Sequence, residues 1–114
     1  MSVSTDCIFC KIVKKEIPSK IVFENEDFIA FSDINPVSPT HILVIPKNHY
    51  KNLWEITDKD LLGKFLLTAK EIAKQEGLNE GFRTVINTGD NGGQTVHHLH
   101  LHVLGGRFHK WPPG

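Results

Sequence analysis

The chain is short of the features that would place it on nucleic acid or in a membrane. Its 114 residues carry 13 Lys and Arg against 13 Asp and Glu, a formal net charge of zero, and its isoelectric point is near 7.1. No basic stripe of the kind that duplex DNA or an anionic lipid surface needs is visible, so neither is expected as a partner. No apolar stretch approaches the roughly 20 residues that span a bilayer. Residues 1–5 and Asp6 lack the apolar run of a secretory signal. A cytoplasmic address is expected, with 1–5 as a flexible tail. Cysteine is scarce: Cys7 and Cys10 are the only two. In a reducing compartment their C-x-x-C spacing reads as a metal half-site, a redox pair or two inert thiols, and no apolar strand precedes them as a thioredoxin-like motif requires. The phosphate-binding orders G-x-G-x-x-G and G-K-[ST] are both absent, as are internal repeats and low-complexity segments.

What remains is the pattern of one α+β domain spanning 1–114. Ile8, Phe9, Ile12 and Val13 recur with helical spacing in Cys7 to Lys15, a short helix that Pro18 is expected to end. Ile21-Val22-Phe23 and Phe28-Ile29-Ala30-Phe31 flank a polar turn, and His41 to Ile45 forms a third strand after the Pro36/Pro39 punctuation. Thr57 is the expected N-cap of a long helix with Leu61, Leu62, Phe65, Leu66, Ala69, Ile72 and Ala73 as its apolar stripe, stopped by Gly77. Phe82 to Asn87 and Val96 to Leu104 complete a five-stranded, mainly antiparallel, meander-like sheet. Between those two, Thr88 to Thr95 reads as a glycine-rich turn whose backbone N–H groups can approach a ligand. The tail 105–114 continues as neither helix nor strand, and its Trp111 packs at a rim or on a second subunit.

The most informative segment is His97-His98-Leu99-His100-Leu101-His102-Val103-Leu104. Period-two alternation puts His98, His100 and His102 on one face of an extended chain and Leu99, Leu101 and Val103 on the other. Same-face neighbours then lie roughly 6.6 Å apart, within reach of one phosphate. Imidazoles this close repel when charged, so a fold that keeps them together favours neutral, hydrogen-bonded rings or an anion facing them. His97 and His109, taken singly, read as ordinary surface or hydrogen-bonded histidines.

The segment resembles the motif that names the histidine triad family. Ile8-Phe9-Cys10-Lys11-Ile12, Glu16-Ile17-Pro18, Phe31-Ser32-Asp33-Ile34, Pro39-Thr40-His41, Val44-Ile45-Pro46-Lys47, Gly92-Gly93-Gln94 and Trp111-Pro112-Pro113-Gly114 fall in the order of its nucleotide-binding branch. The resemblance runs from about Asp6 to the last residue. It implies a homodimer that binds purine nucleoside monophosphates and hydrolyses nucleoside phosphoramidates. It implies His100 as the nucleophile, transiently nucleotidylated, with His98, His102 and His41 beside it. Phe9, Ile12, Phe31, Ile34 and Leu43 would wall the base pocket, and Asp33 would receive the ribose hydroxyls. Asn87, Gly93 and Thr95 would hold the phosphate region, and Trp111 would reach the partner's site from the tail. Relatives with this C-x-x-C bind zinc, which maps here onto Cys7, Cys10, His49 and His98 as a structural site. No cofactor is required for the chemistry.

The residue chemistry agrees. Imidazole, with a reference pKa of about 6.5, is largely neutral at pH 7, nucleophilic, and a good leaving group once bonded to phosphorus. An amide anion is a poor leaving group, so the departing nitrogen needs a proton, for which His102 and His98 are the candidates. Three other readings stand beside this one: a zinc hydrolase using His98 and His100 as H-x-H ligands, a nonenzymatic nucleotide-binding regulatory module, and a dinucleoside polyphosphate hydrolase. Uridylyltransferases of shared ancestry replace the last triad histidine with glutamine, so His102 favours hydrolysis over transfer.

Overall fold

The computed structural model describes residues 6–114, and the tail expected at 1–5 lies outside the described residues. The elements in chain order are α1 (Ile8–Val13), β1 (Ile21–Glu24), β2 (Phe28–Ser32), β3 (Thr40–Pro46), a 3-10 turn (Leu53–Glu55), α2 (Lys59–Gln75), β4 (Arg83–Val85) and β5 (Leu101–Gly105). The five strands form one antiparallel sheet in the order β1-β2-β3-β5-β4. The first three strands are a meander, as expected. The chain then crosses by α2, and β4 lies outside β5 at the edge.

Period-two alternation sorts the strand side chains into two layers. Phe28 and Ala30 of β2, Ile42 and Val44 of β3, and Leu101 and Val103 of β5 pack with Leu99 against Phe65, Ala69, Ile72 and Ala73 of α2. The opposite face carries Ile29, Phe31, Leu43 and Ile45, covered by Phe9 and Ile12 of α1. Facing positions keep the two sets apart, because Leu43 pairs with His102 and Val44 with Leu101 across β3 and β5. The sheet therefore presents an apolar floor on one side and a mixed aromatic and imidazole surface on the other.

Several element ends differ from expectation. The first helix stops at Val13, well before Pro18, because Lys14 takes a C-cap geometry and Lys15 turns to φ +63°. Asp58 rather than Thr57 caps α2, its carboxylate accepting from the Asp60 and Leu61 amides at 3.0 and 3.1 Å; a carboxylate there also suits the helix dipole. Gly77, at φ +73°, is the expected stop. The histidine segment is strand only from Leu101. The β3–β5 ladder ends at the pair Val44 and Leu101, and the next hydrogen-bonding position on β3 is Pro46, which has no N–H to give. The Leu99 amide instead donates to Tyr50 O at 2.7 Å. Residues 86–100 are thus a long connection with the glycine stretch inside it, rather than a tight hairpin turn.

Candidate active site

His98 and His100 lie in the segment just before β5, and His102 lies within β5. The rings pack edge to face with Phe9 of α1: centroids are 5.9 Å from His98 and 5.3 Å from His100. His100 and His102 are 5.1 Å apart. His41, diagonal to His102 on β3, brings its Nε2 to 2.9 Å from His102 Nδ1. All four implied histidines therefore gather on the face away from α2. Phe9, Ile12, Phe31 and Leu43 form the apolar patch beside them, with Phe9 and Phe31 centroids 5.4 Å apart.

Each ring has its own hydrogen-bonding, and that separates their chemistry. Nδ1–H of His100 donates to the His98 carbonyl oxygen at 2.7 Å, which leaves the lone pair on Nε2. Nε2–H of His98 donates to Pro46 O at 2.9 Å, and its Nδ1 faces Cys7 Sγ at 3.3 Å and Cys10 Sγ at 3.5 Å. Both nitrogens of His98 are committed, and the ring is fully buried. The Val37 amide donates to His41 Nδ1 at 3.1 Å. Neutral His41 therefore carries its proton on Nε2 and passes a hydrogen bond to His102 Nδ1, so His102 keeps its own proton on Nε2.

Burial sets the charge state. It pulls His98 and His102 down from the ordinary imidazole value to about 4, and neighbouring imidazoles add to the effect. His100 and His41 are lowered by the same cause, while Asp33 pulls against it. The cluster is neutral at pH 7, as close packing of like groups demands. Asp33 sits at the edge, its Oδ2 3.4 Å from His41 Nε2 and its Oδ1 accepting from the Asn35 amide.

A second group of donors adjoins the first. Cys7, Cys10, His49 and His98 bring one ligand atom each to within 4.8 Å of one another. Cys10 Sγ is 3.3 Å from His49 Nδ1, and the Cys10 amide donates to Cys7 Sγ at 3.3 Å. Two sulfurs and two imidazole nitrogens at these separations match the edges of a zinc tetrahedron with bonds of about 2.0 to 2.3 Å. The bond from His98 Nε2–H to Pro46 O aims Nδ1 at the sulfurs, the outer-shell support usual for a metal-bound histidine. The residues fit zinc. Asp33, His41 and His102 are the other group of the described residues close enough to hold a metal, and His100 is in neither.

The remaining expectations divide. Asn87 Nδ2 donates to Gly92 O at 2.6 Å, Gly93 adopts φ +77°, and a Cβ on Gly92 would collide with the Thr88 backbone, so the glycine loop is closely folded. Thr95 lines a shallow cavity with Cys7, Ile8 and His49. Ile34, at 91% exposure, lies outside the buried apolar patch of the single chain. Trp111 is also exposed within the single chain. Gln94 was not singled out as a site residue, yet it organises this loop. Its side chain, buried, donates to Lys51 O and Val96 O and accepts from the Gly89 amide. A lone glutamine between glycines carries no periodic signal to reveal this. The Val37 amide, which sets the His41 tautomer, has no side-chain signature at all.

Residues 14–109 match the model of the HIT domain. A 14 kDa zinc-binding protein of Brassica juncea is 52% identical over 113 residues, 96% of this chain and 100% of its own length. A protein of Arabidopsis thaliana named adenylylsulfatase HINT1 is 53% identical over 111 residues, 94% of this chain and 76% of its own. Among solved structures, a HIT family hydrolase from Legionella pneumophila superposes with a TM-score of 0.92 at 49% identity, covering 96% of this chain and 100% of that one.

Proposed function

Because the chain belongs to the HIT family, we propose that it is a nucleotide-binding hydrolase that cleaves purine nucleoside phosphoramidates through a nucleotidyl group on His100. The carrying observation is the 2.7 Å hydrogen bond from His100 Nδ1 to the His98 carbonyl, which leaves Nε2 unprotonated and free to attack. Phe9, Ile12, Phe31, Ile34 and Leu43 would receive the base, Asp33 the ribose hydroxyls, and Asn87, Gly93 and Thr95 the phosphate region. A homodimer, with Trp111 reaching the partner's site, belongs to this reading.

In the first step His100 Nε2 attacks the α-phosphorus as the bond to the leaving nitrogen breaks, the electron pair staying with that nitrogen. The nitrogen must gain a proton. His98 has no N–H left to give, so the role falls to His102. To give a proton and remain a stable ring, His102 must first carry two. The anionic phosphoryl group bound beside it favours uptake of that second proton, and a positioned acid contributes ~10²–10⁴-fold. In the second step water attacks phosphorus, the phosphorus–His100 bond breaks, and His102 takes a proton back from the water. Cys7, Cys10, His49 and His98 would hold a structural zinc, which when bound ties α1 to the triad segment.

Adenylylsulfate is a second substrate class, favoured by the name of the Arabidopsis relative and by the neutrality of the His41–His102 pair. Sulfate departs as a stable anion without a proton. The test is to incubate the protein with an adenosine phosphoramidate, quench in mild alkali and map the mass adduct. A nucleotidyl group on His100 is expected, and one on any other residue overturns the assignment. Binding of nucleoside monophosphate with no adduct and no turnover would favour a regulatory module.

A further inference from the structure

The C-terminal tail reaches the triad through a chain of hydrogen bonds that neither the family match nor the triad itself accounts for. Arg107 donates from Nε and Nη2 to Val37 O at 3.2 and 3.0 Å and from Nη1 to Phe108 O at 2.9 Å, so its guanidinium grips both the loop and the tail. Next to it, Ser38 Oγ and His109 Nε2 are 2.6 Å apart, with Ser38 buried. Arg83 of β4 pins the tail from the other side, donating to His109 O at 3.0 Å and Lys110 O at 2.8 Å. Gly106, at φ +89°, lies so close to Pro39 that a Cβ would come within 2.8 Å of its ring. Three successive residues, Val37, Ser38 and Pro39, are thereby fastened to the tail. The amide of the first is the donor to His41.

That amide has a chemical consequence. A peptide N–H only donates, so while it occupies His41 Nδ1 that ring holds its one proton on Nε2. His41 Nε2–H in turn occupies His102 Nδ1. A second proton on His102 would place two hydrogens between nitrogens 2.9 Å apart, unless His41 moves its proton to Nδ1 and the Val37 amide withdraws. Asp33, His100, His109, Arg83 and Arg107 are ionisable groups around the pair and its loop, and Lys20 and Glu76 line a cavity with Asp33, Pro39 and His41.

We propose that Arg107 and the Ser38–His109 pair are specificity-determining positioning residues. By fastening the 37–39 loop they keep the Val37 amide on His41 and hold the His41–His102 pair to one proton per ring. That state suits leaving groups that depart as stable anions, such as sulfate, whereas an amine leaving group requires the bound phosphoryl anion to draw a second proton onto the pair against this clamp. The inference rests on the reading of His100 as nucleophile and His102 as donor.

The experiment compares two substrates with the same adenylate half, adenosine 5′-phosphoramidate and adenylylsulfate, in single-turnover formation of the nucleotidyl enzyme. The proteins are the wild type, Arg107→Ala, Arg107→Lys and Ser38→Ala, and the ¹⁵N shifts of the His41 ring are read in each. Arg107→Ala is expected to raise the phosphoramidate-to-sulfate rate ratio by about tenfold, part of the ~10²–10⁴-fold that an acid contributes. The His41 spectrum should pass from a single Nε2-protonated form to a mixture. Ser38→Ala should move both readouts the same way, and Arg107→Lys, which keeps one donor, should move them less. A ratio that stays or falls in both alanine variants, with the His41 tautomer unchanged, overturns the proposal. If wild type forms no adduct on His100, the functional reading fails instead, and the His41 spectrum of the substrate-free variants still decides whether the clamp exists.

Discussion

Nδ1 of His100 lies 2.7 Å from the main-chain oxygen of His98, and the side chain of that same His98 lies against the thiols of Cys7 and Cys10. One residue thus orients the candidate nucleophile with its backbone while its ring faces the candidate metal centre. A histidine that attacks phosphorus itself has no substitute. His100→Ala is expected to lower phosphoramidate turnover by ~10⁴-fold or more, as removing a nucleophile does elsewhere, while nucleoside monophosphate still binds. Titration calorimetry beside single-turnover kinetics checks it, and residual turnover within about tenfold of wild type would exclude the covalent route.

The thiols of Cys7 and Cys10 make a separate prediction. Zinc held by these four donors stabilises the folded chain, since the ligands come from α1 and its N-cap, the segment after β3 and the triad segment. The protein purified with zinc is expected to hold one equivalent per chain by mass spectrometry. Cys10→Ser should abolish retention and lower the melting temperature, while His100 is still nucleotidylated. Loss of the adduct on metal removal, with the fold intact, would move the metal from structure to chemistry.

Much of this site was legible because alternation is a geometric property of an extended chain. His98, His100 and His102 against Leu99, Leu101 and Val103 separate onto opposite layers even though only the last part is paired strand. What was not legible depends on main-chain groups remote in sequence. The division of labour among the histidines is set by the carbonyls of Pro46 and His98 and the amide of Val37, and no side-chain pattern records where those point. The exposure of Ile34 was not legible for a related reason. Its neighbour Asp33 folds the turn by accepting from Asn35, and the next side chain is turned outward.

Gln94 should prove as important to the phosphate loop as the glycines around it. Its amide group satisfies Lys51 O, Val96 O and the Gly89 amide. Gln94→Ala removes three hydrogen bonds from partly buried main-chain groups, at a cost of about 1 kcal/mol or more. Chemical denaturation is expected to show that loss, and nucleotide affinity should fall with it. Gln94→Glu keeps the acceptor but loses the donors to the two carbonyls, so it should rescue neither quantity.

Acid should expose the neutral histidines. His102 is lowered from about 6.5 to about 4 by burial, then by His100 and His41, with Asp33 opposing, and His41 is lowered by burial. A depressed imidazole pKa means that between those values the unfolded chain binds more protons than the folded one, so stability rises with pH there. The contribution is complete above about pH 6.5, declines as pH falls, and levels off once the folded protein also protonates near 4. Carboxylates act lower: Glu24, held near 2 chiefly by hydrogen bonds from Lys15 and then Lys47, gives stability lost only as pH drops below its ordinary 4.5. Denaturant midpoints at pH 7.5, 6.5, 5.5 and 4.5, with the metal state held constant by chelation, isolate the histidine window. Wild type should lose stability with a slope of about two protons or more, and His102→Asn should reduce that slope by about one. A midpoint independent of pH across that window would mean that these rings are charged or solvated in the fold, and the neutral cluster would be wrong.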